Sequence, residues 1–373
     1  MSSKSKNAPL PEGMEIAGYR VVKKLSSGGF SFVYLAYDED NNPVAIKEYL
    51  PASLAKRDEG QLIPEIKAEH QATFRLGLRC FFEEGRVLAR IYHPNVVRVV
   101  NFFRAHETVY MVMAYESGRS LQEIILKYRD KGEKEILSEA FIRSTFMQVM
   151  NGLREVHANK LLHLDLKPAN IYLRRDGSPI ILDFGAARTT LNADSSRLFP
   201  MYTPGFAAPE MYQKGGQLGP WTDVYALGAC MFSCMAGLPP QAADVRKGND
   251  RMEAAYKSLR GIYSDELIEV TRWCLDMDLS KRPQSVFALQ KALTERVTED
   301  VRPPLFARIM SSVRHVLNRR QRSAEQVVNP KHQQATALLW GNKKSKIARS
   351  GNTPAQVGGQ EPAATEQKTL DKV

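Results

Sequence analysis

The chain carries Asp165, Lys167 and Asn170 within six residues, and Asp183-Phe184-Gly185 begins thirteen residues after Asn170. An acid, an ammonium, an amide and a second acid on two neighbouring loops form the set that transfer of a γ-phosphoryl group requires. Such a reaction is mostly positioning and charge neutralisation. It needs an acid to orient the attacking hydroxyl, cations on the phosphates and hard oxygen ligands for a divalent metal. The weight lies in the order of these residues and in what surrounds them.

The surrounding elements fall into two regions. Tyr19–Val22 and Phe32–Ala36 read as strands around a glycine-containing turn, and Pro43–Glu48 reads as a third strand with Lys47 near its end. Residues 65–91 have helical periodicity, with Leu76, Phe81, Val87, Leu88 and Ile91 as core candidates. Two more strands follow at Val96–Phe102 and Val109–Ala114. Beyond residue 117 the pattern turns helical, at Leu121–Arg129, Ser138–Asn159, Asp223–Ala236, 264–278 and 284–296. Ser138 fits an N-cap. Ile171–Leu173 and Ile180–Leu182 flank the turn Asp176-Gly177 as a small hairpin between the two loops.

With these elements placed, the chain resembles the protein kinases of the eukaryotic (Hanks) type over residues 18–297, and a bacterial member in particular. The resemblance implies an α+β, bilobal fold: a five-stranded N-lobe sheet with one main helix over 18–117, and a mostly helical C-lobe over 118–300. It implies ATP as cofactor with Mg²⁺, or Mn²⁺ in its place. Leu25-Ser26-Ser27-Gly28-Gly29-Phe30-Ser31 resembles the glycine-rich loop, with Ser26 and Ser31 where two of its three glycines usually stand. That substitution suggests a stiffer loop and lower nucleotide affinity. Leu25, Gly28, Gly29, Val33 and Ala45 would then surround the nucleotide, Met113 would gate the adenine pocket, and Ala114 and Glu116 would offer backbone groups to the base. Gly118 would let the linker bend. Val44-Ala45-Ile46-Lys47 resembles the strand that presents the phosphate-binding lysine, and Glu84 is its implied partner, with Glu69 the alternative if the insertion shifts register. Glu83 would point away. The extra residues Pro51–Ala68 would form a surface loop or lengthen the helix.

The same resemblance gives roles to the loops. Asp165 would orient the substrate hydroxyl, Lys167 would touch the γ-phosphate, and Asn170 and Asp183 would hold the metal. Thr203 would bond to Asp165 and Lys167, the pattern of serine/threonine kinases. Glu210 and Arg282 would make a structural ion pair, Asp223 would hold the backbone of the catalytic loop, and His163 would pack rather than act as a base. Leu164 stands where an arginine is usual. A leucine cannot receive an activation-segment phosphate, so activity should not strictly depend on modification of Thr189, Thr190, Ser195 or Ser196, despite Arg188 and Arg197 nearby. The function implied is phosphoryl transfer to protein Ser/Thr hydroxyls, with autophosphorylation. The competing reading is a catalytically weak or inactive kinase fold serving as a scaffold, and transfer to a small molecule is disfavoured by the segment Thr203–Glu210.

Composition limits the remainder. The formal net charge of +11 is concentrated at residues 302–350, where eleven Lys or Arg face the single acid Glu325. The basic character belongs to a tail, and specific nucleic-acid binding by the body is not expected. Residues 301–322 have the spacing of an amphipathic basic helix that could pack on the body, bind a partner or touch an anionic membrane. Residues 1–17 and 323–373 read as disordered. Four cysteines, at 80, 230, 234 and 274, suggest neither a disulfide framework nor zinc. The first residues hold no apolar leader, and no apolar run reaches the roughly eighteen residues of a membrane span, so a cytoplasmic location is expected. Protein substrates and a cognate phosphatase are the implied partners, and the sequence does not set the oligomeric state.

Overall fold

In the computed structural model, residues 7–130, 137–184 and 203–295 are described below. The upper part is an antiparallel sheet of six strands: β1 (Glu15–Ile16), β2 (Tyr19–Ser27), β3 (Ser31–Tyr37), β4 (Pro43–Tyr49), then β7 (Val99–Ala105) and β8 (Thr108–Ala114), in the order β1-β2-β3-β4-β8-β7. The sixth strand corrects the expected five. It comes from the lead, where Glu15 and Ile16 pair with Arg20 and Tyr19. The lead departs from expected disorder from residue 7 onward, because Leu10 and Ile16 bury their side chains in the core and Leu10 N–H donates to the Tyr34 hydroxyl at 3.1 Å.

The insertion after β4 folds instead of looping out. Strands β5 (Ala55–Lys56) and β6 (Glu65–Ile66) pair with each other, and helix α1 (Gln71–Leu88) starts only after a 3₁₀ turn at Ala68–His70. The insertion therefore does not lengthen the helix. Phe74, Gly77, Cys80, Phe81, Glu84, Gly85 and Leu88 are buried at three- and four-residue spacing along one face of α1. Leu76 and Val87 lie off that face and are only partly buried. Gly77 lets the helix approach the sheet, since a Cβ there would collide with the Tyr49 hydroxyl.

Strand β9 (Gly118–Ser120) opens the lower part and pairs with β10 (Ile171–Arg174), which pairs with β11 (Pro179–Ile181). A Cβ at Gly118 would strike the Leu173 carbonyl, so this glycine serves close strand packing rather than a bend. Helices α2 (Leu121–Asp130) and α3 (Glu139–Ala158) follow, and the Ser138 side chain caps α3 by accepting from Phe141 N–H at 3.2 Å. Helix α4 (Pro220–Ala236) is buried on all sides from Thr222 to Met235, as its nearly continuous apolar sequence requires. It is surrounded by α3, α6 (Met252–Leu259), α7 (Asp265–Cys274) and α8 (Val286–Glu295), with a short helix α5 at Ala243–Arg246. No helix among the described residues is long and apolar enough to cross a membrane. The expected amphipathic helix over 301–322 and disordered tail over 323–373 lie outside the described residues.

Candidate active site

The loop between α3 and β10 is held from below by one carboxylate. Asp223, in the first turn of α4, accepts from the backbone N–H of His163 and of Leu164, each at 2.8 Å, and from His157 Nε2 at 2.7 Å. Complete burial pushes its pKa up, but these donors outweigh burial and hold it below the ordinary carboxylate value. Leu164 sits in the left-handed region at φ 61°, and Asp183 does so at 59°. For a leucine that conformation costs roughly 1–2 kcal/mol, and the bond to Asp223 secures it. The Leu164 side chain is buried. His163 is fully buried, and burial lowers its pKa, so the imidazole is neutral. Its Nε2–H donates to Leu182 O at 3.0 Å, Nδ1 accepts from Asp165 N–H at 3.3 Å, and its ring packs on Phe184 at 4.6 Å. These bonds fix it as a packing residue.

Above this base, three side chains close a triangle. Lys167 Nζ lies 2.9 Å from Asp165 Oδ2 and donates to Thr203 Oγ1 at 3.2 Å, while Thr203 Oγ1 donates to Asp165 Oδ1 at 3.1 Å. Asn170 Nδ2 donates to Asp165 O at 2.8 Å. That bond occupies the amide nitrogen and leaves the amide oxygen as the group available to a ligand. Asp183 follows β11 and ion-pairs with Lys47 Nζ at 2.7 Å. Gly185 and the residues Arg188, Thr189, Thr190, Ser195, Ser196 and Arg197 lie outside the described residues.

A cavity of about 840 Å³ joins these loops to the sheet. Leu25, Gly28, Gly29, Val33 and Ala45 line it from β2–β4, Met113, Ala114 and Glu116 from the end of β8 and the linker, and Lys47, Glu84, Asp165, Lys167, Asn170, Asp183 and Thr203 from the remaining elements. Every sequence-predicted site residue thus opens on one space. Glu84 is buried on the inner face of α1, whereas Glu83 is exposed and pairs with Arg86 at 2.8 Å. Glu69 is exposed in the 3₁₀ turn, so of the three acids Glu84 is the one lining the cavity. The N–H of Ala114 is taken by Arg98 O at 2.9 Å, so it is not the group that Ala114 would offer to a ligand. The Glu116 side chain binds Arg174 with two bonds, at 2.7 and 2.9 Å, and so ties the linker to β10.

Ser31 pairs with Tyr49 in a regular ladder, Ser26 pairs with Val33 just after a register shift that follows Lys24, and no residue from 25 to 33 has a left-handed φ. Serine is therefore accommodated there without backbone strain. The sequence reading missed Tyr49, Phe81, Tyr172 and Leu182 as lining residues. Two of them had a signal. Tyr49 shares a strand face with Lys47 by the two-residue period, and Phe81 lies three residues before Glu84, its ring 5.6 Å from Lys47 Nζ.

The donor chemistry fits a hard divalent cation. A carboxylate and an amide oxygen beside an open cavity match an ion that takes few protein ligands and completes its shell with phosphate oxygens and water. Behind the site, Glu210 and Arg282 bond through both oxygens at 2.9 Å, both buried, and Thr222 Oγ1 donates to Glu210 at 2.9 Å.

Residues 19–294 match the model of the protein kinase domain family. Serine/threonine-protein kinase D of Synechocystis is 28% identical over 348 residues, covering 88% of this chain and 63% of that protein. CBL-interacting serine/threonine-protein kinase 12 of Arabidopsis thaliana is 29% identical over 64% of this chain and 44% of its own length. The chain thus spans less than two thirds of either relative. Among solved structures, PpkA-294 in its apo form superposes with a TM-score of 0.67 at 32% identity, covering 76% of this chain and 99% of that one. The kinase domain of Mycobacterium tuberculosis PknI, in a double mutant, shares the fold at a TM-score of 0.59 and 23% identity, over 78% of this chain and 99% of that one.

Proposed function

The chain belongs to the protein kinase family, and on that premise we propose that it transfers the γ-phosphoryl group of ATP to serine and threonine hydroxyls of proteins. The observation that carries the reading is the closed triangle of Asp165, Lys167 and Thr203 at the mouth of the cavity. Family membership brings ATP and a divalent cation, and the oxygen donors on Asn170 and Asp183 favour Mg²⁺. Bound together, ATP and the cation would supply the phosphoryl group and neutralise charge on its oxygens.

The side chains divide the remaining work. Asp165 accepts a hydrogen bond from the substrate hydroxyl and aims its oxygen at the phosphorus. Lys167 balances charge on the transferring group and, through Thr203, keeps Asp165 in place. Lys47 would hold the phosphates, and Asp183, which pairs with it at 2.7 Å, would hold the metal. Glu84 supplies the negative charge that keeps Lys47 in the cavity. The scaffold reading rests on Ser26 and Ser31, and a backbone there that serine adopts without left-handed φ weakens that support.

The buried Leu164 favours activity without phosphorylation of the activation segment. Protein substrates and a cognate phosphatase are the proposed partners. Incubation of the full chain with labelled ATP, Mg²⁺ and a generic protein acceptor, followed by acid hydrolysis, tests the proposal. Label is expected in phosphoserine and phosphothreonine; label confined to phosphotyrosine, or none in protein, would overturn it.

A further inference from the structure

The insertion that follows Lys47 touches the cavity at places the mechanism above does not use. Leu50 N–H donates to Phe30 O at 2.8 Å, and Ala52 N–H donates to Gly29 O at 2.9 Å. Gly29 and Phe30 form the tip of the β2–β3 turn and line the cavity. The tip is therefore bonded along its edge by chain lying beyond β4, in addition to its own two strands. A hairpin tip without such bonds must be ordered when it closes on a ligand, whereas one already held is preorganised.

A second contact lies behind Lys47. Glu48 projects to the opposite side of β4 and is fully buried. It receives both terminal nitrogens of Arg57, at 2.5 and 2.7 Å, and the hydroxyls of Tyr34 and Tyr110, at 2.7 and 2.9 Å. Arg57 is itself 1% exposed, and its Nε donates to Ala8 O at 2.9 Å, so the lead closes over the pair. A clamp on Glu48 fixes the strand from which Lys47 projects.

We propose that segment 50–57 is a positioning brace for the nucleotide site, holding the phosphate-facing turn through Leu50 and Ala52 and the Lys47 strand through Arg57. The inference rests on the reading of the cavity as a nucleotide site. It gives the insertion a role in ATP affinity rather than in the choice of protein substrate.

Ala52 is exposed and opens a turn in which Leu54 and Ala55 both donate to Pro51 O. Proline is accepted at such a first position, so Ala52→Pro removes one N–H and leaves the core alone. In the full chain, loss of that bond should weaken binding of ADP with Mg²⁺ about fivefold. The KM for ATP should rise by the same factor, while kcat, the KM for the protein acceptor and the unfolding midpoint stay at wild-type values. Ala52→Gly, which keeps the donor, should restore wild-type affinity. Arg57→Lys keeps the charge but loses the two-pronged grip, and should raise the KM for ATP without lowering kcat. Wild-type nucleotide affinity in both Ala52→Pro and Arg57→Lys would overturn the brace. So would equal weakening in Ala52→Gly, which would assign the effect to turn stiffness. A wild-type protein that binds no ADP would overturn the proposed function instead, and this inference with it.

Discussion

Among the described residues each lobe hides one glutamate–arginine pair, and the two differ in what surrounds them. In the lower lobe Glu210 bonds Arg282 from 72 residues away, with Thr222 as the further side-chain donor to the carboxylate. In the upper lobe Glu48 bonds Arg57 from nine residues away, and the hydroxyls of Tyr34 and Tyr110 also reach it. Both arginines are essentially inaccessible. A buried pair adds little net stability, but removing one partner strands the other charge. The cost of that removal depends on how many donors remain, and here the two lobes part.

Replacing Arg282 with alanine leaves Glu210 with Thr222 as its remaining side-chain donor and should cost about 4–5 kcal/mol, near the upper end for a broken buried pair. Chemical denaturation of the full chain would measure it. Arg57→Ala leaves Glu48 with two hydroxyl donors and should cost nearer 3 kcal/mol. Hydrogen exchange should place that loss in β4, β5 and residues 7–16 rather than in α4. A larger loss for Arg57→Ala than for Arg282→Ala would break the comparison.

A smaller effect sharpens it through pH. The pKa of His163 is lowered by burial, so between that folded value and about 6.5 the unfolded chain binds a proton that the folded chain does not. Stability should therefore fall as pH falls through this window, by at most about 1.4 kcal/mol per pH unit from this residue. His163→Gln should flatten the slope, and an unchanged slope would show that the imidazole titrates freely in the fold. The smallest effect concerns Leu164. Alanine at Thr189, Thr190, Ser195 and Ser196 together should change the initial rate of phosphoryl transfer by less than about tenfold, since no arginine precedes Asp165 to receive a phosphate. A greater loss would return control to the activation segment.

The two pairs also show what a sequence reveals. Glu210 and Arg282 were legible because each stands in a motif of fixed order, as do Asp165, Lys167, Asn170 and Asp183. Strands and helices with clear periodicity were legible within a few residues, β4 and α4 among them. Arg57 was not legible, because in the run Ala55-Lys56-Arg57-Asp58-Glu59 nothing local distinguishes it from its exposed neighbours. Its burial is decided by what folds over it, the lead from Asn7 to Ile16 and the β5–β6 pair. The same cause hid the sixth strand, since two residues carry too short a pattern to read. Gly118 was legible as a special position but for a different reason, because close approach of another strand leaves no trace in its own neighbourhood. Leu164 was legible as a substitution, while its left-handed backbone, bonded to Asp223, emerged only from the fold.

The central claim is that Asp165 orients the hydroxyl that attacks phosphorus. Initial rates of label transfer from γ-labelled ATP to a protein acceptor, for wild type and Asp165→Asn at equal nucleotide occupancy, test it most directly. The amide is nearly isosteric and keeps hydrogen bonding to Thr203 within reach, but it cannot accept the proton. A loss of at least about a hundredfold in kcat with ADP affinity unchanged is the predicted result. Transfer at the wild-type rate by Asp165→Asn would contradict it.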